Sequence, residues 1–313
     1  MKDLSIIVPV YNSESTLLEL TSRIFNELNG RYLYELILVN DGSQDNSYEV
    51  CRSLSSKYPF VKFVSFRKNF GQISAIVAGL REAEGKNCVV MDDDLQNPPE
   101  EIPKLVNEIN KGLDFVFGVP KELKHNFFRI IGSKLTLKMA DLLFGKPIDI
   151  YPSSFFVIKQ ELAQEITTYD GPYPYISGLI FRVTNNGVSV FVNQECRKSG
   201  KSQYCASKLL KLWLSGFTNF SILPLRLASF FGTIISFFGF AALAFLIIQK
   251  VFLGKFLEGW ISIVGAIILF SGIQLLALGL LGEYVGRIFM LLNRTPQYSI
   301  KEKYNCDKFN VKV

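Results

Sequence analysis

Apolar runs and polar tips alternate along the N-terminal part of the chain. The segments 4–10 (LSIIVPV), 35–40 (ELILVN), 61–66 (VKFVSF), 87–91 (NCVVM) and 114–118 (DFVFG) are short and almost continuously apolar. Runs of this length, rich in β-branched and aromatic residues, predict strands covered on both faces. Between them, 14–28, 45–57, 71–84 and 99–111 carry apolar residues at helical spacing. Strand alternating with helix predicts an α/β, Rossmann-like domain over residues 1–200, with a mostly parallel sheet and helices on both faces. Ligands of such sheets sit beyond the carboxyl ends of the strands. The polar motifs PVYNSE, NDGSQD, RKNFGQ and DDDLQ fall at those ends, after the first four strands.

The pattern then changes. Residues 227–249 and 259–282 contain no charged side chain, and about 20 apolar residues are enough for a helix to cross a bilayer. Together they predict a two-helix transmembrane hairpin over residues 226–286. Within 201–225, Leu209, Leu210, Trp213, Leu214 and Phe217 recur at helical spacing with Lys208 and Lys211 off the stripe. That arrangement predicts amphipathic helices lying in the membrane interface, with an ordinary packed helix as the alternative. Residues 287–313 read as a basic tail holding Arg287, Arg294, Lys301, Lys303, Lys308 and Lys312, against only Lys250 and Lys255 between the spans. Positive residues favour the cytosolic side, so both termini and the α/β domain are expected in the cytosol, on a multi-pass inner-membrane protein.

Composition narrows the chemistry. Hydrophobic residues make up 49% of the 313 and mean hydropathy is +0.23, which fits a membrane segment. The net charge of +6 fits phosphate-bearing substrates or anionic lipid and does not choose between them and nucleic acid. The five cysteines form no Cys-x-x-Cys pair, so neither a zinc site nor a disulfide framework is indicated. The lone histidine, His125, excludes histidine-rich metal sites and makes Ser-His-Asp chemistry a poor fit. The opening MKDLSIIVPVYN is too short and, beyond Val10, too polar to read as a signal peptide.

The candidate chemistry centres on Asp92, Asp93 and Asp94, which follow the fourth apolar run directly. Adjacent carboxylates repel one another, so their placement needs compensation. Neighbours on an extended segment point opposite ways, so Asp92 and Asp94 are expected to converge while Asp93 faces elsewhere. Two carboxylates suit a hard divalent cation, Mg²⁺ or Mn²⁺, whose shell is completed by water and substrate phosphate. The bland alternative is a solvated acidic turn capping the helix that starts near Pro98.

The ordered set LSIIVPVYNSESTL, LILVNDGSQDNS, RKNFGQISAIVAGL and VVMDDDLQNPPEEI closely resembles family 2 glycosyltransferases of the GT-A fold. With YDGPYPYISGLI, CRKSGKSQY, two spans and LLGEYVGRI, the likeness extends to the polyprenyl-phosphate glycosyltransferases. These include dolichol-phosphate mannose synthases and the bacterial undecaprenyl-phosphate glucosyl and formamido-arabinosyl transferases. The resemblance implies a nucleotide-sugar donor (UDP-linked), a polyprenyl phosphate acceptor, a membrane location, a homotetramer and no nucleic-acid partner. It implies that Pro9, Tyr11, Asn12 and Glu14 line the nucleotide pocket and that Asp41 contacts base or ribose. Lys68, Asn69 and Gln72 would meet the nucleotide or its phosphates, and Asp92, Asp93 and Asp94 would form the donor-binding acidic motif, with Gln96 a further metal ligand beside Asp92 and Asp94. Arg129, Lys121 and Lys124 would meet phosphate, and Arg197, Lys201 and Ser202 would lie near the acceptor or diphosphate.

Two places depart from the family pattern. Ser153 and Ser154 stand where many relatives carry a second acid, and GVPK replaces a Gly-x-Arg, leaving Lys121 in the arginine's place. The resemblance puts Asp94, Arg129, Arg197, Ser153 and Ser154 at the reacting centre. Two alternatives differ in kind. A processive polysaccharide synthase needs a Gln-x-x-Arg-Trp motif, yet neither Trp213 nor Trp260 follows an arginine. A catalytically dead membrane partner would be expected to lose the acidic motif, which is intact.

Overall fold

A computed structural model describes residues 2–121, 150–171, 174–195, 259–293 and 296–306, with isolated positions between 225 and 248. The chain divides into two compact units, Met1–Gln203 with Arg294–Val313, and Tyr204–Asn293.

The first unit is built on β1 (Leu4–Val10), α1 (Glu14–Leu28), β2 (Tyr34–Asn40), α2 (Ser47–Lys57), β3 (Val61–Phe66), α3 (Gln72–Glu82) and β4 (Asn87–Val90). A short 3-10 turn, Pro99–Glu101, leads into α4 (Ile102–Ile109), then β5 (Phe115–Pro120), β6 (Phe156–Lys159), α5 (Gln160–Thr167), α6 (Ile176–Val183) and β7 (Gly187–Val192). After the apolar segment the chain returns as β8 (Ile300–Tyr304). Every residue of β1, β2 and β3 is buried, as expected for strands covered on both faces. Helix α1 buries Leu17, Leu20, Ile24 and Leu28, the i, i+3, i+4 stripe that faces a core.

The eight strands lie in the order β7-β5-β6-β4-β1-β2-β3-β8. Pairs β1–β2, β1–β4 and β2–β3 are parallel, which is the part of the sheet that the apolar runs predict. β5 and β7 also pair parallel, so four of the seven pairings among the described residues run parallel, as expected, and three do not. Strand β6 inserts antiparallel between β4 and β5, and β8 adds antiparallel to the outer edge of β3. The sheet is mixed. β1 and β4 are neighbours with their connections running to opposite sides, and the crevice at such a reversal is where open α/β sheets bind ligands.

β8 lies in the segment read as a basic tail. Its approach is fixed by Tyr298, whose ring stacks on Phe66 at 4.9 Å and whose hydroxyl accepts from Arg81 at 3.0 Å. The Gln297 amide donates to the carbonyls of Tyr169 at 2.8 Å and Gly171 at 2.7 Å. Asn305 donates to the Ser55 and Val61 carbonyls.

An ionic cluster fills the amino end of the sheet. Glu35, fully buried, accepts from Lys2 at 2.6 Å and pairs with Lys62 at 2.9 Å through Oε2. Its Oε1 accepts from the Ser5 hydroxyl at 2.6 Å and the Glu84 N–H at 2.7 Å. Lys62, itself buried, also meets Glu84 at 3.0 Å. Burial acts to raise the Glu35 pKa, but the two ammonium groups, the hydroxyl and the backbone N–H outweigh it and hold the carboxyl below its ordinary range.

In the second unit, α7 (Trp260–Leu292) is one unbroken helix of 33 residues, about 50 Å long at 1.5 Å per residue. It begins where the second span is predicted and continues past the predicted end at residue 282. Its stretch Phe270–Leu292 has a mean hydropathy of 1.7 and none of it is buried within the chain. One helix, long and apolar enough to cross a membrane, is therefore present among the described residues. The interfacial helices at 201–225 and, apart from isolated positions, the first span at 227–249 lie outside the described residues, so the hairpin is not part of the described structure.

Candidate functional site

The carboxyl ends of β1, β2, β3 and β4 each release a polar loop, and hydrogen bonds join the four. The three aspartates lie just past β4, in a turn rather than on the strand itself. Each is half-buried and each has its own compensation. Asp93 turns toward β1, accepting the Tyr11 N–H at 3.1 Å and the Ser13 hydroxyl. Desolvation pushes its carboxyl up to about 6, the neighbouring Asp92 and Asp94 add to this, and the Ser13 and Tyr11 bonds oppose it. Asp92 accepts the Gln72 amide at 2.6 Å on Oδ1 and the Ser154 hydroxyl at 2.6 Å on Oδ2. Asp94 accepts the Gln96 N–H at 3.1 Å. Asp93 thus bonds to the β1 loop and serves to fasten the acidic turn to β1.

The turn itself depends on Leu95. Its φ is +61°, left-handed backbone that costs an ordinary residue about 1–2 kcal/mol. The side chain is 1% exposed and sits in the main core cluster, so burial of a leucine, about 1.5–3 kcal/mol, offsets the strain. Downstream, Arg23 on α1 bridges Glu100 at 2.7 Å and Glu195 at 2.7 Å. Hydrogen bonds to these two carboxylates raise the Arg23 pKa above its ordinary value. The arginine ties the Pro-rich turn after the aspartates to α1 and to the segment after β7.

The β1 and β2 loops interlock. Asn12, at φ +54°, donates its N–H to Ser43 at 3.1 Å and accepts the Gln44 N–H at 2.8 Å. Glu14 accepts the Asn46 N–H at 2.9 Å, and Ser13 donates its N–H to the Ser47 hydroxyl at 2.8 Å. Two of the predicted pocket residues, Asn12 and Glu14, are therefore engaged in holding the neighbouring loop. Pro9 is buried in β1 and Tyr11 is 37% exposed at its tip. Asp41 is 2% exposed and accepts the N–H groups of Phe70 at 2.6 Å and Gly71 at 2.9 Å. Burial raises its pKa against the pull of those two bonds. Lys68 and Asn69 are exposed on the loop after β3, with the Lys68 ammonium 5.2 Å above the Phe70 ring.

Ser154 joins the acidic turn through Asp92, while the Ser153 hydroxyl accepts the Phe155 N–H at 3.2 Å. Lys121 is exposed at the end of β5, its N–H bonded to the Val192 carbonyl. Lys124, His125, Arg129, Arg197, Lys201 and Ser202 lie outside the described residues. Sequence reasoning did not single out Ser13, Gly42, Leu95 or Arg23. Gly42 alone carried a signal, as the glycine of an Asn-Asp-Gly turn.

The donor chemistry fits a hard cation. Asp92 and Asp94 offer carboxylate oxygens, the ligands that Mg²⁺ and Mn²⁺ prefer. Among the described residues no three His, Cys, Asp or Glu side chains are grouped to hold a metal ion. An ion here would complete its shell with substrate oxygens and water, the usual habit of Mg²⁺.

Residues 5–167 match the Glycosyl transferase family 2 profile. The uncharacterized glycosyltransferase YkcC of Bacillus subtilis is 34% identical over 305 residues, 97% of this chain and 94% of that protein. The undecaprenyl-phosphate 4-deoxy-4-formamido-L-arabinose transferase of Edwardsiella ictaluri is 32% identical over 302 residues, 95% of this chain and 93% of that protein. Among solved structures, glucosyl-3-phosphoglycerate synthase of Mycobacterium tuberculosis, crystallised with Mn²⁺, UDP and glucosyl-3-phosphoglycerate, superposes with a TM-score of 0.51. That match covers 68% of this chain and 77% of the other at 18% identity, and it identifies the GT-A, Rossmann-like fold. The mixed sheet, the loops converging on the acidic turn and the relatives that align along nearly its whole length together place this chain in glycosyl transferase family 2.

Proposed function

We propose that this chain is a membrane-bound, inverting glycosyltransferase that moves one sugar from a UDP-linked donor to polyprenyl phosphate on the cytosolic leaflet. The observation that carries the reading is the pairing, in one chain, of Asp92 and Asp94 at the sheet's reversal with an apolar helix that the fold leaves unburied. A transferase for a soluble acceptor needs the first and has no use for the second. Relatives named for undecaprenyl phosphate align through both parts, which supports a lipid phosphate as acceptor.

Asp92 and Asp94 would hold Mg²⁺ or Mn²⁺. When bound, such an ion neutralises charge that develops on a departing nucleoside diphosphate. Gln72 and Ser154 keep the Asp92 carboxylate oriented, which limits reorganisation as the sugar bond breaks. The exposed Lys68, Asn69 and Lys121 supply cationic and amide donors around the diphosphate, and the exposed Tyr11 ring offers a face for the nucleobase. Lys124, Arg129, Arg197, Lys201 and Ser202 are assigned to the acceptor phosphate. A phosphate monoester is already anionic near neutral pH, so the attack needs no strong protein base. That agrees with hydroxyls at 153 and 154, one bonded to Asp92 and the other to backbone. A single displacement inverts the anomeric centre, turning an α-linked donor into a β-linked lipid phosphate sugar.

The test is to incubate the purified full-length chain with undecaprenyl phosphate and a panel of nucleotide sugars, and to weigh the lipid product. The expected product is heavier by a single sugar residue. Repeated sugar increments would favour a processive synthase, and no lipid product with any donor would overturn the reading.

A further inference from the structure

We propose that Arg23 is a positioning residue for sugar transfer: by forking two carboxylates, Glu100 and Glu195, it draws the segment after β7 against the acidic turn and so fixes the backbone that orients Asp94. The inference rests on the proposed transferase reading for what Asp94 does, and on hydrogen bonds and charge for the brace. Arg23 lies on α1, outside the acidic motif. Its Nε and Nη2 donate to the two oxygens of Glu100 at 3.0 and 2.7 Å. Its Nη1 and Nη2 donate to the two oxygens of Glu195 at 3.2 and 2.7 Å. Two bidentate forks on one planar guanidinium fix the carboxylates relative to each other, which a lysine ammonium cannot do. The arginine also holds like charges together. Its hydrogen bonds keep the Glu100 carboxyl below the ordinary range, while the Glu195 charge pushes the other way.

The two carboxylates belong to segments that meet edge to edge. Glu100 stands in the 3-10 turn after the aspartates, and Glu195 just past β7. The Glu195 N–H donates to the Gln96 carbonyl at 2.9 Å. The Gln194 amide donates to the side-chain oxygen of buried Asn97 at 3.1 Å, and the Asn193 amide to Glu101 at 2.5 Å. The Gln96 N–H in turn donates to Asp94 Oδ1 at 3.1 Å. Gln96 is thus held at its carbonyl by the braced segment and holds Asp94 through its N–H. Without the guanidinium, Glu100 and Glu195 repel one another, and the brace becomes a wedge between the two segments. The sequence passes from Glu195 to Arg197 in two residues, so the same clasp fixes where the stretch assigned to the acceptor phosphate sets out. A 1 Å displacement of reacting groups can cost about a hundredfold in rate.

The experiment compares Arg23→Gln, Arg23→Lys, Glu195→Gln and the double variant Arg23→Gln/Glu195→Gln in the solubilised full-length chain. Hydrogen–deuterium exchange over residues 94–101 and 191–195 is read beside kcat and donor KM, at a temperature below the melting of every variant. Arg23→Gln is expected to speed exchange in both segments and to lower kcat about tenfold or more, with donor KM nearly unchanged. Arg23→Lys keeps the charge without the forks and should fall between it and wild type; it carries the test if Arg23→Gln does not fold. The double variant removes the repulsion and should regain part of both kcat and protection relative to Arg23→Gln. A merely structural contact predicts the opposite, since a second lost partner adds to the damage. Losses that add in the double variant therefore overturn the proposal. So does unchanged exchange in Arg23→Gln and Arg23→Lys, or faster exchange with kcat intact, or a loss confined to donor KM. If the wild-type chain transfers no sugar, the transferase reading falls with the catalytic role of Arg23, and exchange in the single and double variants still decides the brace.

Discussion

Replacing Glu35 with glutamine removes one charge from the cluster at the amino end of the sheet and leaves the shape of the side chain intact. The carboxylate is fully buried and meets four donors: Lys2, Lys62, the Ser5 hydroxyl and the Glu84 N–H. The glutamine amide must aim an NH₂ at one pair of them: facing the lysines, it leaves Lys62, buried as well, with only Glu84 and the Glu82 carbonyl, and facing the other pair it leaves the Glu84 N–H without that acceptor. Removing one partner of a buried ion pair costs about 3–5 kcal/mol. For a domain of roughly 150–250 residues that corresponds to a fall in Tm of about 6–20 °C. The pH dependence has a definite sign. Glu35 is held below its ordinary pKa, so its contribution is complete above the unfolded value and is lost as pH falls through the lower folded value. Thermal unfolding of the solubilised chain, followed by circular dichroism from pH 7.5 downward, should show the gap between wild type and variant at its widest near neutrality. The gap should close in acid below the ordinary glutamate range. A gap under about 1 kcal/mol at pH 7.5, the worth of a surface pair, or a gap that widens in acid, would refute the reasoning.

Other perturbations address the site and the sheet. Asp94→Asn should nearly abolish sugar transfer while leaving Tm within a few degrees, read by product mass and by melting; undiminished turnover removes Asp94 from the metal role. Chelation with EDTA should silence transfer and added Mg²⁺ or Mn²⁺ should restore it; turnover that survives exhaustive chelation contradicts a metal-assisted departure. Leu95→Ala should cost about 2–5 kcal/mol, the range for a buried leucine, and should lower kcat as well, since the left-handed turn then lacks its anchor; a stable variant with normal kcat argues that the turn holds itself. Ending the chain at Asn293 deletes β8 with the Phe66–Tyr298 stack, a ring pair worth about 1 kcal/mol. That chain should melt earlier and scatter light on warming, and an unaltered melt would mean that β8 is dispensable.

The last of these bears on what the sequence reveals. The apolar runs at 4–10, 35–40 and 61–66 fall on β1, β2 and β3 within a residue of their observed bounds, because strands buried on both faces are mostly apolar, with the few polar side chains paired among themselves. The polar loops at their ends are equally legible, since only the carboxyl edge of the sheet has room for them. β6, β7 and β8 escape the same reading. IKEKY sets three consecutive charged residues, Lys301, Glu302 and Lys303, between Ile300 and Tyr304 at the sheet's edge, and nothing local distinguishes it from a basic tail. Its strand character comes from Phe66, Arg81 and Glu82, which are remote in sequence. GVSVFV, likewise, is a half-exposed edge strand. Within the site, the acidic triplet is conspicuous, but its division of labour is not. That Asp93 fastens the turn to β1, and that Asp41 accepts N–H groups of the β3 loop, depends on loops meeting across the sheet. The strained Leu95 left no mark, because leucine is no signal for left-handed backbone.

β8 follows α7 in the chain, and this sets an order of manufacture. A ribosome completes the long apolar helix before it makes the strand that closes the outer edge of β3. Until then the nascent enzyme carries an open row of backbone donors and acceptors along β3, the kind of edge that recruits stray strands. Synthesis of the apolar helix therefore precedes completion of the sheet, and a copy stalled before that point is left unfinished and prone to clump.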